Sequence, residues 1–137
     1  MTDDTTPQRA VDVVRSHLDR FEGGINGALA DSYSVDAVVE QPFMPGTPHR
    51  LEGRDAIRAH FTAAASMPLE LRVRNLIVHQ MLDPELVVAE YDYDGRVTTT
   101  GERFTAGNIQ VFRIRNGLIA ASRDYHDHSR LSAALHH

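Results

Sequence analysis

The stretch from Thr105 to His128 constrains the fold more than any other part of the sequence. Apolar and polar residues alternate through it as in two β-strands, and Asn116-Gly117 lies between the two runs. Asn-Gly is a strong hairpin signal because both residues tolerate the positive φ that a two-residue turn requires. The sequence therefore predicts an antiparallel hairpin here.

Alternation also sorts the side chains of this hairpin into two faces. One face mixes apolar side chains with amides and a carboxylate, which is unusual for a core and for a solvated surface. Apolar walls with a few polar groups are typical of a ligand pocket, so we expect this face to line one. It consists of Asn108, Gln110, Phe112 and Ile114 on the first strand and Leu118, Ala120, Ser122, Asp124 and His126 on the second.

Three helices are predicted in the first half of the chain. The first begins at Thr6-Pro7, where Thr is an N-cap residue and Pro suits the first helical position. Apolar residues then recur at spacings of three and four until Gly23-Gly24 ends the helix. A shorter helix is predicted over residues 25–31, and a third over residues 53–67, which Pro68 ends.

Three further strands are predicted besides those of the hairpin. A short strand covers residues 37–41, a long one covers 70–81, and another covers 86–94 before a turn at Gly95. The alternation of the long strand slips near Arg74-Asn75, which predicts a β-bulge that bends it. The order of elements indicates an α+β domain, with a cone-shaped, curved antiparallel or mixed sheet wrapped over three N-terminal helices.

Composition limits the domain organisation and the partners. The 137 residues suit one domain, with residues 1–5 as a disordered tail and 129–137 as a polar C-terminal tail. A net charge of -5 without a basic stripe argues against nucleic acid. No apolar run reaches the ~20 residues that span a bilayer, and the N-terminus lacks signal-peptide features, so we expect a cytoplasmic protein without membrane contact.

Metals and cofactors are not expected. The absence of cysteine excludes disulfides and thiolate metal sites. His126 and His128 share a strand face, but no third ligand accompanies them, so no metal site is predicted. His136 and His137 are assigned no role.

Several segments resemble the SnoaL-like branch of the nuclear transport factor 2-like superfamily, which is related to ketosteroid isomerases. The resemblance covers nearly the whole chain and implies that superfamily's α+β barrel fold. Because the scaffold hosts isomerases, cyclases, hydrolases and non-enzymatic binders, it specifies fold better than function. The segments are DAVVE at 36–40, the proline-rich loop PFMPGTPH at 42–49, LEGRDAI at 51–57, VVAEY at 87–91, FRIRNGLI at 112–119 and RDY at 123–125.

The resemblance also places family sites on individual residues. The base, oxyanion-hole acid and tyrosine donor of ketosteroid isomerases would fall at Gln41, Gln110 and His17, so that chemistry is not expected. In polyketide cyclases, a base on the last strand corresponds to Asp124. Polar side chains on the preceding strand correspond to Asn108 and Gln110, although the cyclases have histidine at the second position.

Asp124 is the candidate general base. A carboxylate that faces an apolar hollow can take a proton from a carbon next to a carbonyl. Asn108 and Gln110 would then donate hydrogen bonds to the developing enolate oxygen. In the alternative, Asp124 forms a salt bridge with Arg103 or Arg123, and the two amides satisfy the backbone or each other.

Further residues are candidates for ligand contacts. Phenazine-biosynthesis A/B proteins have a similar fold, with an acid where Asp124 sits and a histidine that could match His60. Phe43 in the proline-rich loop either closes over a pocket or packs into the core. Glu90 shares a strand face with Asp92, and that face lines either the site or a solvated surface. The predicted ligand contacts are His60, Glu90, Phe43, Phe112, His17 and Tyr33.

The sequence thus supports two functions of different classes. The first is a cofactor-free isomerase or cyclase that uses Asp124 on a hydrophobic, polyketide- or steroid-like carbonyl compound; the second is a non-catalytic domain that binds a small ligand. Epoxide hydrolysis is a weaker alternative, in which Arg103 joins Asp92 and Asp124. A homodimer is expected through the outer sheet face, where Ile109 and Val111 need covering and where this superfamily usually pairs.

Overall fold

The computed structural model describes residues 9–46 and 49–135. It contains three α-helices, two 3₁₀ segments and six strands. Their order is α1 (Ala10–Asp19), the 3₁₀ segments Arg20–Gly23 and Gly27–Ser32, β1 (Tyr33–Gln41), β2 (His49–Glu52), α2 (Arg54–Ala65), β3 (Leu69–Gln80), β4 (Leu86–Val97), β5 (Arg103–Arg115), β6 (Leu118–His126) and α3 (His128–Leu135).

The six strands form one curved sheet that is not closed, in the order β2-β1-β6-β5-β4-β3. Every neighbouring pair is antiparallel except β1 and β6, which run parallel and make the sheet mixed. Alternate residues of β4 and β5 are buried, so one face of the sheet forms the core with the helices. The predicted α+β class with a curved mixed sheet is confirmed.

The helices differ in part from the prediction. The apolar stripe of α1 is buried at Val14 and Leu18, while the predicted start at Thr6-Pro7 lies outside the described residues. The predicted second helix is a 3₁₀ segment, in which the Asn26 side chain accepts a hydrogen bond of 2.8 Å from the Ala28 amide. Six residues are too few to stabilise an α-helix, so the tighter turn is favoured.

Two local predictions for the strands are confirmed, namely the Asn116-Gly117 turn and the bulge near Asn75. Asn116 and Gly117 have φ values of 53° and 76°, as a tight hairpin turn requires. The register of β3 against β4 shifts between Arg74 and Ile77, and Asn75 has a φ of 59°. This is the predicted bulge.

The β5–β6 pairing corrects one detail of the predicted faces. Arg113 pairs with Ala121 and Ile114 pairs with Ile119, so the register skips Ala120. As a result Ile119 is fully buried, whereas Leu118 is only half-buried. The predicted alternation therefore holds from Ser122 onward, where the polar residues of interest begin.

The predicted turn at Gly95 is wrong, because β4 continues through this residue to Val97. Gly95 lies directly opposite Phe104 on β5, and the Phe104 ring covers it. A Cβ atom at position 95 would overlap the Phe104 ring at its Cζ atom. Glycine here allows close approach of an aromatic ring instead of a turn.

Gly95→Ala should therefore destabilise the fold by about 1–3 kcal/mol, because the Phe104 ring must move to admit a methyl group. Urea unfolding measures the change. Gly107→Ala on the adjacent strand is the matched control, since its nearest contact would be Asp92 Oδ1 at 3.9 Å. An equal loss in both variants would contradict the close-approach account, and the double variant Gly95→Ala/Phe104→Ala should recover part of the loss.

The C-terminal residues also differ from the prediction. Residues 129–137 were expected to form a polar tail, but α3 occupies 128–135 and its Ala134 is buried. Leu131 and Leu135 of this helix face the interior cavity described below. Their spacing of four residues supplies the apolar stripe that holds the helix in place.

The outer face of the sheet carries apolar side chains, including Ile77 at 55% exposure and Ile109 at 44%. Val111 of the same face is half-buried. The homodimer through this face stays a prediction. No helix in ranges 9–46 and 49–135 is both long and apolar enough to cross a bilayer.

Candidate functional site

A cavity of about 410 Å³ lies inside the fold, and its wall is mainly apolar. Strands β1, β2, β3, β4, β5 and β6 and helices α1, α2 and α3 all contribute to it. The polar residues of the wall are His17, Tyr33, Gln41, His60, Tyr93, Gln110, Asp124, His126, His128 and Ser132.

Asp124 is the buried carboxylate of this wall, with 6% of its surface exposed. Its Oδ1 atom accepts hydrogen bonds from Gln110 Nε2, at 2.8 Å, and from the Ser122 hydroxyl. Gln110 is the direct cross-strand partner of Asp124, and Ser122 lies two residues earlier on the same face of β6. The Tyr91 hydroxyl donates to Gln110 Oε1, which fixes the orientation of that amide. The carboxylate is therefore held in one position by groups from three strands.

The predicted salt-bridge alternative for Asp124 is not observed among the described residues. No arginine lies within ion-pair distance of its carboxylate. Arg103 is exposed, and the Arg123 guanidinium lies over the Tyr125 ring, 5.6 Å from its centroid.

The Asp-Arg-Asp arrangement of the epoxide-hydrolase alternative is also not assembled. Asp92 points to the outer face of the sheet, where it accepts a hydrogen bond of 2.8 Å from Asn75. Asp124 lies on the inner face, so the sheet separates the two carboxylates.

Asn108 is buried but does not line the cavity, which corrects its predicted role as an enolate donor. Its Nδ2 donates to the Ala106 carbonyl at 3.2 Å, so its Oδ1 is left as an acceptor. That oxygen lies 2.6 Å from His126 Nδ1, which must therefore carry a proton. The other ring nitrogen, His126 Nε2, is 3.8 Å from Asp124 Oδ2. Asn108 thus orients a histidine beside the candidate base.

This geometry predicts the tautomer of His126. The wild-type protein should show the Nδ1–H form in long-range ¹H–¹⁵N correlation spectra, because Asn108 accepts that proton. Burial lowers the pKa of His126, so the ring stays neutral near neutral pH. In Asn108→Leu the population should move towards the Nε2–H form, while His79 on the outer face should not change. An Nε2–H form in the wild type would contradict this assignment.

His17, Tyr33 and His60 lie on the cavity wall, as a role in ligand contact requires. His17 Nε2 is 3.4 Å from the Tyr33 hydroxyl, and burial lowers the pKa of His17 to about 3. Burial also raises the pKa of Tyr33 well above its ordinary value and lowers that of His60. The two histidines are therefore neutral and the tyrosine is protonated near neutral pH.

The other three predicted ligand contacts lie elsewhere. Phe112 is fully buried in the core, with its ring 6.2 Å from that of His17. Phe43 is 67% exposed and packs on Tyr125, while its neighbours Met44 and Pro45 line the cavity. Glu90 lies on the outer face, 2.6 Å from His79 Nε2, because the pleat of β4 directs it away from the core.

Some residues of the wall were not predicted as site residues. Besides His126, these include Tyr93, whose pKa burial raises to about 12, and Gln41, whose Oε1 has no hydrogen-bond partner among the described residues. Alternation had already placed His126 two residues from Asp124 on the expected pocket face, but no role in the site was assigned to it. Within residues 9–46 and 49–135, no cluster of three histidine or carboxylate side chains is arranged to hold a metal ion.

The curved open sheet packed over helices is a ketosteroid isomerase-like fold. Residues 14–122 match the SnoaL-like domain, and the chain belongs to this family.

Relatives of the chain span most of its length. An uncharacterised PhzA/B-like protein of Pseudomonas aeruginosa is 30% identical over 127 residues, which cover 92% of this chain and 89% of the relative. A crystal structure of a candidate isomerase from Bacillus subtilis has a TM-score of 0.80 and 27% identity, and 91% of each chain is covered. A candidate polyketide cyclase from Xanthomonas campestris has a TM-score of 0.78 and 21% identity, with 94% of this chain and 98% of that chain covered.

Proposed function

We propose that the protein is a cofactor-free enzyme of the isomerase or cyclase type that acts on a hydrophobic carbonyl compound. One observation carries the proposal. Asp124 is buried on the wall of an apolar cavity, and no arginine of the described chain pairs with it. Similarity to a candidate isomerase and a candidate polyketide cyclase supports the same class of chemistry.

The first step is the removal of a proton from the carbon next to the substrate carbonyl. Asp124 Oδ2 forms the new O–H bond, because Oδ1 already accepts from Gln110 and Ser122. The electron pair of the broken C–H bond moves into the enolate, whose oxygen becomes negative. Asp124 then returns the proton to another atom of the substrate. Alternatively, the enolate carbon attacks a second carbonyl of the same molecule, whose π electrons move to its oxygen, and Asp124 gives the proton to the alkoxide that forms.

The enolate oxygen needs hydrogen-bond donors. Tyr33 and Tyr93 line the cavity, and burial raises the pKa of both hydroxyls, so both stay protonated. Tyr33 is able to donate to the enolate when His17 Nε2, 3.4 Å away, donates to the Tyr33 oxygen. These tyrosines replace Asn108 and Gln110 in that role, because both amides already bond to other protein groups. His126 Nε2, 3.8 Å from Asp124 Oδ2, offers a second proton acceptor.

Exchange of carbon-bound protons tests this proposal without knowledge of the natural substrate. The probe is β-tetralone, an apolar bicyclic ketone with acidic protons next to its carbonyl. In D₂O, NMR should show that the wild-type protein accelerates the loss of these proton signals over the protein-free rate. Asp92→Asn, which removes a carboxylate of the outer face, is the matched control and should exchange as fast as the wild type.

A non-catalytic ligand-binding domain is the second candidate function. It is favoured because the amides of Asn108 and Gln110, which were predicted as enolate donors, already form hydrogen bonds with other protein groups. Saturable binding of β-tetralone with no acceleration of exchange would support this candidate and reject the enzyme.

A further inference from the structure

The cavity wall holds a single acidic side chain, namely Asp124. The chain has no lysine, and its 14 basic residues are all arginines within the described part of the structure. None of these arginines lines the cavity. Several pair with surface acids instead, such as Arg74 with Glu22 at 2.7 Å and Arg113 with Glu85 at 2.8 Å.

The histidines of the wall do not neutralise this charge. His17, His60, His126 and His128 all line the cavity, and burial lowers the pKa of each below its ordinary value. Protonation of any of them inside the cavity is opposed by the same loss of solvent. The wall therefore holds one carboxylate side chain and no arginine or lysine beside it.

This arrangement disfavours a second negative charge. A carboxylate or phosphate in the cavity would lie in a space lined mainly by apolar groups, near Asp124 and without an arginine or lysine of the protein to pair with. A ligand with a positive charge is favoured in the same cavity. Asp124 attracts it, and the wall also holds the aromatic residues Tyr33, Tyr93 and Phe61, whose ring type attracts cations.

We infer that the cavity accepts uncharged or cationic ring compounds and rejects carboxylates and phosphates, with Asp124 as the selecting charge. The inference rests on the proposed function for the position of the site, and it adds the substrate class. An uncharged ketone, ester or amide is the compatible substrate. A free carboxylic acid is not compatible with the cavity. A substrate attached to a phosphorylated carrier that enters the cavity is not compatible either.

Three compounds on one ring framework test the selection by charge. They are β-tetralone, its amine analogue aminotetralin and its carboxylate analogue tetralin carboxylate. Binding is measured by calorimetric or NMR titration at neutral pH. We expect the ketone and the ammonium to bind at least about tenfold more tightly than the carboxylate, since each tenfold is about 1.4 kcal/mol.

Substitution of Asp124 tests whether this residue causes the selection. In Asp124→Asn, the preference for the ammonium over the carboxylate should fall at least about tenfold, which corresponds to about 1.4 kcal/mol. Asp92→Asn removes a carboxylate from the outer face and should leave the preference unchanged. A preference that survives in Asp124→Asn would overturn the inference.

The wild-type titrations have outcomes that separate this inference from the proposed function. Binding of the carboxylate as tightly as the ketone would overturn the inference, as would a failure of all three compounds to bind. Ketone binding with the expected selection but no proton exchange would uphold the inference and overturn the enzymatic proposal.

Discussion

Asp124→Asn should slow the exchange of the β-tetralone protons by ~10²–10⁴-fold, the range that a positioned general base contributes. The amide cannot accept a proton at this position as a carboxylate does. Its oxygen can still accept the hydrogen bonds of Gln110 and Ser122, so the cavity should keep its shape. NMR of the ketone in D₂O measures the exchange rate, and titration of the same variant measures ketone binding.

The outcome that contradicts this prediction is exchange by Asp124→Asn at the wild-type rate. His126 would then be the better candidate for the base, because its unprotonated Nε2 faces the same carboxylate oxygen. His126→Gln separates these cases. With Asp124 as the base, the exchange rate of this variant should stay closer to that of the wild type than to that of Asp124→Asn.

Phe112→Ala should destabilise the protein by about 3–5 kcal/mol, the range for removal of a large buried aromatic side chain. The Phe112 ring is fully buried and packs against the His17 ring, so its loss leaves an empty space in the core. The free energy of unfolding, measured with urea or by thermal denaturation, gives the change. The same measurement tests whether Phe112 is a core residue and not a ligand contact.

Phe43→Ala is the matched control for this substitution, because the two side chains are identical and only their surroundings differ. Phe43 is 67% exposed and contacts Tyr125 on the outside of the sheet, so its loss should cost no more than ~0.5 kcal/mol. Similar costs for the two variants would show that burial of Phe112 is not what stabilises this part of the core.

The sequence predicted those parts of the fold that depend on neighbouring residues. The Asn116-Gly117 turn and the bulge near Asn75 follow from backbone conformations that few residues adopt, so their signals are local. The turn expected at Gly95 was wrong because the reason for that glycine, the Phe104 ring, lies on another strand. Helix α3 was not predicted because its apolar residues Leu131 and Leu135 line a cavity that forms only when the chain folds.

For the candidate site too, the sequence predicted only what depends on neighbouring residues. Alternation along β6 identified Asp124 as an inward-facing residue, and the structure brings His17, Tyr33, His60 and Gln110 to the same cavity. Glu90 was misplaced, because alternation shows which residues share a face but not which face is buried. Phe43 was misplaced because it lies in a loop, where no alternation indicates the direction of its side chain. The partner of each polar side chain could not be predicted either, since Gln110 and Asp124 meet only through the cross-strand register.

The central claim is that Asp124 is retained for chemistry and not for stability. The measurement that tests it most directly is the free energy of unfolding of Asp124→Asn against the wild type, without ligand and near neutral pH. The account predicts a neutral or stabilising effect, because the substitution removes a buried charge that no arginine of the described chain pairs with. A loss of about 2 kcal/mol or more would show that Asp124 is a structural partner, and the enzymatic proposal would lose the residue on which it depends.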